Sequence, residues 1–173
     1  MSIHDTIRRL QDSARAALAE LWARHEAGEI TKDEFLALAV QFLDREIRRA
    51  EVLADLAVAA ELTRLRGEIV SATGEVSEPA PERTRAALLE QETTQAHDAD
   101  LGLSFGVAGA ALSVAAYQRQ TKSVMEIHGV TVMVRVANPG ACEVCRDLDG
   151  QRLPTTSDPY HHKGCACVQR PVA

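Results

Sequence analysis

The sequence predicts a mainly α-helical protein that ends in a small α+β subdomain. Three observations lead to this prediction. Apolar residues in the first part of the chain recur at helical spacing, and hydrophobic residues make up 46% of the sequence while aromatic residues make up only 3%. After Lys122 the spacing changes to the strict alternation of a strand. All four cysteines then fall between Cys142 and Cys167.

A long helical hairpin is predicted over residues 1–67. Its first helix, of about 24 residues, should end near Gly28. Thr31 and Glu34 have the spacing of a capping box, which starts a second helix that ends at about Gly67. The broad apolar face predicts a further partner, either later helices of this chain or another subunit, including a second copy. The two apolar stripes are Ile3, Ile7, Leu10, Ala14, Ala17 and Leu21, then Leu36, Val40, Leu43, Ile47, Ala50, Ala54 and Ala57.

A linker is predicted over residues 68–81, where Gly, Ser and Pro replace large apolar residues, and a helical segment over residues 82–121. Within that segment, Leu101–Tyr117 is uncharged, and Gly102 and Gly106 have a small-xxx-small spacing. A membrane span would fit this composition, but the stretch is short for about 30 Å of hydrocarbon and lacks a basic flank. We therefore expect a buried helix and no membrane.

The last predicted unit, over residues 122–173, contains a short β-hairpin and a metal site. Val130, Val132, Val134 and Val136 should share one face of a strand, with Met133 and Arg135 on the other face. His128-Gly129 would form the hairpin turn, and Val124–Ile127 would be the first strand.

The cysteine segment has the ligand spacing of a closed zinc site. Cys142-x2-Cys145 and His162-x2-Cys165 form two short chelate loops, which together supply the four N/S donors that tetrahedral zinc prefers. Cys167 is a fifth donor, so the fourth place belongs to Cys165 or Cys167. Equal loop size favours Cys165. Asp149-Gly150 is predicted to form a hairpin turn between the two pairs.

Composition excludes several classes of function. The chain carries 25 acidic and 19 basic residues, for a net charge of −6, and therefore lacks the cationic surface typical of nucleic-acid binding. No secretory signal is visible at Met1, so we expect a reducing cytosol, where clustered cysteines favour metal over disulfides. No H-x-E motif of zinc deaminases occurs, and a closed structural site leaves no place for substrate, so we expect no enzymatic activity.

The segment from about Val124 to Val172 resembles the carboxy-terminal motif of tailed-phage minor head proteins, the phage Mu F-like head morphogenesis family. The resemblance is carried by an Arg-containing strand that enters C-x2-C, an Asp-Gly turn, an H-x2-C-x-C segment and a short closing strand. The chain departs from the family at Lys163-Gly164, where Pro and Asn are frequent, and at Ala166, where Arg is common.

The resemblance implies a structural protein of the virion head, present in the host cytoplasm during assembly, with the portal protein or the major capsid protein as partners. A zinc-ribbon module that binds nucleic acid is the alternative. It is disfavoured because Arg146, Arg152, Lys163 and Arg170 are interleaved with acidic residues. A membrane-active internal virion protein is a further alternative.

Overall fold

The computed structural model describes residues 3–95, 101–157 and 167–172, and it confirms a mainly helical chain with a small amount of β structure. The helices are α1 (Ile3–Glu26), α2 (Lys32–Arg66), α3 (Pro81–Gln95), α4 (Leu101–Ile127) and the short α5 (Glu143–Asp147). The strands are β1 (Val132–Val136), β2 (Arg152–Pro154) and β3 (Val168–Pro171).

The ends of the first two helices have the local signals that the sequence predicts. Gly28 follows α1 with a left-handed φ of 74°. Thr31 and Glu34 form a complete capping box, in which each side chain binds the other residue's backbone amide. Gly67 closes α2 in the left-handed conformation, and its amide donates to the carbonyl of Thr63. These signals mark the end of α1 and both ends of α2.

Helix α4 closes the bundle by packing against both α1 and α2. Glycine permits this approach: a Cβ at Gly106 would lie 3.1 Å from Cα of Arg15, and one at Gly109 would lie 2.5 Å from Cδ1 of Leu18. Among the described residues, α4 is the one helix that is long and apolar enough to cross a membrane. However, 61% of its most apolar 18-residue stretch is buried inside the protein. It therefore forms part of the core.

Residues 68–80, which we call the strap, contain no helix or strand but are held against α2. The carboxylate of Asp55 accepts hydrogen bonds from the amides of Thr73 and Gly74 at 2.9 and 2.7 Å. Glu51 accepts from the amide and hydroxyl of Ser77. Both acids are 3% exposed. The buried carboxylates of α2 thus satisfy backbone donors of the predicted linker.

The prediction of a β-hairpin is wrong, because its first strand does not form. Val124–Ile127 is the last turn of α4, and Gly129 ends the helix with a φ of 71° while the amide of Val130 donates to the carbonyl of Met125 at 2.8 Å. A three-stranded antiparallel sheet is present instead, in the order β2-β1-β3. The predicted boundary between residues 121 and 122 consequently falls within a continuous helix.

The sheet lies on the bundle through the face of β1 that carries Met133 and Arg135, both 1% exposed. Met133 packs with Val58 and Val124, which belong to α2 and α4. Val168 of β3 packs with a second group that includes Ile7 and Tyr117 from α1 and α4. Two separate parts of the core therefore join the sheet to the helices.

Candidate metal centre

A tight turn connects β1 to the first cysteine. The amide of Ala141 donates to the carbonyl of Asn138 at 2.8 Å, and Gly140 has a φ of 85°. Pro139 and Gly140 occupy the central positions, which is the residue pattern of a type II turn. Nη2 of Arg8 donates to Oδ1 of Asn138 at 3.2 Å and ties the turn to α1.

The Cys142-x2-Cys145 pair forms the first turn of α5. Cys142 is the N-cap with extended backbone, and its carbonyl accepts from the amide of Arg146 at 3.0 Å. Cys145 is the third residue of the helix, so both thiols lie at its amino end. Cys142 is exposed, whereas Cys145 is buried. One sulfur thus faces the core and the other lies at the surface.

Cys167 is brought to the same place by the sheet. It directly precedes β3, whose Val168 pairs with Val136 of β1, and its carbonyl accepts from Nε2 of Gln118 at 3.3 Å. Cys167 and Cys145 pack together in a small buried cluster bordered by Ala137 and Ala141. Two cysteines that are distant in sequence therefore meet beside the carboxyl end of β1.

The sequence predicts a hairpin turn at Asp149-Gly150. A turn is present there, but it does not connect two paired strands. It joins α5 to β2: the amide of Gln151 donates to the carbonyl of Leu148 at 3.2 Å, and Gly150 has a φ of 76°. Oδ1 of Asp149 accepts from the amide of Ala137 at 2.8 Å. This carboxylate fixes the turn to the end of β1.

Arg135, which the sequence places in the strand before C-x2-C without indicating a role in the site, belongs to this site. Its side chain is the largest of the fully buried side chains in the described residues, and Nη2 donates to Sγ of Cys145 at 3.4 Å. The available signal was its position in an alternating strand, where residue 135 shares a face with buried Met133. An arginine on the inward face of a strand needs an anionic or strongly accepting partner.

The predicted ligands are only partly covered by the structure. His162 and Cys165 lie outside the described residues. Within the described residues no group of three or more His, Cys, Asp or Glu side chains converges as a metal site. Cys142 and Cys145 share the end of one helix, and Cys145 packs on Cys167. Cys145 and Cys167 are buried and Cys142 is exposed. Thiols are the donors that zinc or another thiophilic ion prefers, so these residues fit such an ion.

Comparison of the chain with protein families, with curated protein sequences and with solved structures found no match in any of the three. The resemblance to the phage head family therefore rests on the motif residues themselves.

Proposed function

We propose that this chain is a non-catalytic minor head protein of a tailed phage, with a structural zinc ion in its carboxy-terminal sheet. Its site of action is the virion head near the portal, and its place before packaging is the host cytoplasm. The portal protein, the major capsid protein or both are the proposed partners. One observation carries the proposal: the order strand, C-x2-C helix, Asp-Gly turn, cysteine and closing strand, with Cys145 packed against Cys167.

The proposed zinc ligands are Cys142, Cys145 and His162, with a fourth thiolate from the Cys165/Cys167 pair. The contact of Cys167 with Cys145 favours Cys167 for that place, although loop size alone favours Cys165. Four protein donors leave no coordination position for substrate, so the ion acts as a crosslink between α5 and β3. This arrangement supports a structural rather than a catalytic centre.

An assembly role also agrees with the charge of the helices. All of the acidic excess of the chain lies before residue 121, in the helical part. Such a surface repels the phosphate backbone of nucleic acid and is suited to contacts with protein. The four long helices would therefore carry the contacts to the portal or capsid, and the zinc-linked sheet would stabilise one end of them.

Particle composition tests this proposal. Proheads and mature heads would be purified from the phage or prophage that encodes the chain, and the chain quantified against portal and major capsid proteins by mass spectrometry. We expect it in both particles at a copy number far below that of the capsid protein. Its absence from both kinds of particle would contradict the proposal.

The nucleic-acid alternative is favoured by one observation: Arg146, Arg152 and Arg170 are all exposed on the carboxy-terminal sheet and helix. Glu143 and Asp147 are exposed on the same short helix as Arg146. Gel-shift measurements with single-stranded and duplex DNA at low salt separate the two functions, because binding through these arginines must weaken steeply as salt rises. We expect no shift with either DNA.

A further inference from the structure

Arg135 is anchored in the central strand of the sheet. Its amide donates to the carbonyl of Gln151, and its carbonyl accepts from the amide of Gly150, both at 2.9 Å. On the other side of β1 it lies opposite Gln169 of β3. These contacts fix the point from which the side chain starts. The guanidinium therefore reaches the cysteine cluster from a residue whose backbone is held on both sides.

The guanidinium contacts Cys145, one of the two buried cysteines of the proposed metal site. Nη2 donates to Sγ of Cys145 at 3.4 Å, and both side chains are 1% exposed. Cys145 in turn packs on Cys167. The contact thus joins β1 to both chain segments that would hold the ion.

The strength of the hydrogen bond from Arg135 to Cys145 depends on whether the sulfur is a thiol or a thiolate. A neutral thiol is a weak hydrogen-bond acceptor. A cysteine bound to zinc is a thiolate, which is a charged acceptor and forms a stronger hydrogen bond. Three thiolates and one imidazole around Zn²⁺ also leave a net negative charge. A buried cation beside such a centre offsets that charge.

We propose that Arg135 is a positioning residue of the metal centre, which orients Cys145 and balances the negative charge of the zinc–thiolate group. This inference rests on the proposed zinc site and goes beyond it, because Arg135 is not a ligand. Outer-shell partners of metal ligands typically contribute about 10- to 100-fold in metal affinity. Arg135 should therefore determine how tightly the full chain holds zinc.

The test compares zinc affinity of the full chain with that of Arg135→Met, Arg135→Lys and a matched control, Arg152→Met. Arg152 belongs to the same sheet but is exposed. Affinity is measured by competition with a chromophoric chelator. We expect Arg135→Met to weaken zinc binding by about 10- to 100-fold, Arg135→Lys to weaken it less because the charge is kept, and Arg152→Met to leave it unchanged. Equal affinity of Arg135→Met and the natural chain would overturn the proposal.

A second measurement separates this role from simple packing. Unfolding of each protein is followed in EDTA and in excess zinc, because zinc that binds only the folded chain raises stability according to its affinity. We expect the stabilisation by zinc to shrink in Arg135→Met. If Arg135→Met loses the same stability in EDTA and in zinc, Arg135 acts only in packing and the proposal is wrong.

Two further outcomes are distinguishable. If Arg135→Met does not fold, Arg135→Gln replaces it, since Gln keeps a donor and removes the charge; unchanged zinc affinity of that variant would overturn the proposal. If the natural chain binds no zinc, the metal centre itself is wrong and the role of Arg135 is wrong with it. Cobalt(II) provides an independent readout, because its sulfur charge-transfer absorption should shift in Arg135→Met and stay constant in Arg152→Met.

Discussion

Single glycines set the distance between α1 and α4. A Cβ at Gly106 would meet backbone atoms of Arg15, with Cα at 3.1 Å and the carbonyl oxygen at 3.2 Å. Backbone within a packed helix cannot move away locally as the tip of a side chain can. The approach of α4 to α1 thus depends on the missing side chain at this position.

Substitution of Gly106 by Ala should destabilise the protein. Alanine adds about 1 kcal/mol of helix propensity, but overpacking a close helix contact costs about 1–3 kcal/mol. We expect a net loss on the order of 1 kcal/mol in the free energy of unfolding, measured with urea. Leu103→Ala is the control, because Leu103 is 61% exposed on the same helix. A Gly106→Ala variant as stable as the natural protein would show that backbone contact does not set the helix spacing.

Tyr117 gives the protein a defined response to alkaline pH. Burial raises the pKa of its phenol above the ordinary range, against smaller lowering contributions from the Thr121 hydroxyl and the positive charge of Arg170. The folded state therefore holds the proton more tightly than the unfolded state does. Its contribution to stability is complete below about pH 10, the pKa in the unfolded chain, and is lost as the pH rises further.

Absorbance at 295 nm tests this behaviour, because the chain has only two tyrosines, Tyr117 and Tyr160. In Tyr160→Phe the remaining phenol should ionise only when the protein unfolds. In Tyr117→Phe the decline of unfolding free energy with pH above about pH 10 should become shallower. Ionisation of Tyr117 near pH 10 in a protein that stays folded would contradict the expected shift.

The alternating residues of β1 predicted a strand but did not predict which of its faces is buried. Four valines favour an inward valine face, yet Met133 and Arg135 point inward and Val132 is exposed. The buried face of a strand depends on what packs against it. Here Cys145 accepts a hydrogen bond from Arg135, and the α5 helix that carries it is brought there by turns outside the strand. Periodicity of the strand alone contains no information on that contact.

Among the elements, the strap depends on two acids of α2. Asp55→Asn replaces one acceptor oxygen by a donor, while the amides of Thr73 and Gly74 and the Thr73 hydroxyl all need acceptors. We expect a loss of about 1.5–3 kcal/mol in unfolding free energy, as for hydrogen bonds to charged groups. Amide hydrogen exchange at Gly74 should also become faster.

Glu68→Gln is the matched control for this change, since Glu68 is an exposed acid at the start of the strap. It should alter neither stability nor exchange. Slow exchange at Gly74 in the Asp55→Asn variant would mean that the strap is held by its other contacts, such as the hydrogen bond from Gln120 to the carbonyl of Glu75 at 2.7 Å.

The sequence predicted the helices correctly where capping residues and apolar stripes indicate the same bounds. The wrong prediction for the first hairpin strand and the incomplete one for the strap have physical causes. His128-Gly129 satisfies the residue preference of a hairpin turn and of a helix C-terminus equally, because both need a left-handed glycine. Val124 and Met125 then continue the apolar face of α4 into the core instead of starting a strand. The composition of the strap indicates a linker. Composition cannot show that buried carboxylates of α2 accept hydrogen bonds from the strap's amides.

For the whole molecule, the core is divided between a helical end and a sheet end. Trp22, the only tryptophan, packs with Phe35 and Phe105 at centroid distances of 5.2 and 5.1 Å. That cluster contains helical residues, whereas the sheet residues Met133 and Val168 belong to two other clusters. Loss of the proposed zinc crosslink should therefore affect one end of the protein more than the other.

Metal removal should accordingly unfold the sheet and leave the surroundings of Trp22 intact. In small metal domains the free energy of binding is part of the free energy of folding. After chelation we expect faster amide exchange in β1 and β3 and unchanged tryptophan fluorescence. A simultaneous change of both signals would mean that the protein unfolds as one unit.

Zinc content is the most direct test of the proposed centre. Elemental analysis of the purified full chain should find a single zinc ion per molecule, removable by a strong chelator. Cys145→Ser and Cys167→Ser should each reduce that content, while Arg152→Met should not. A metal-free chain whose β1, β2 and β3 remain folded, as judged by amide exchange, would contradict the account.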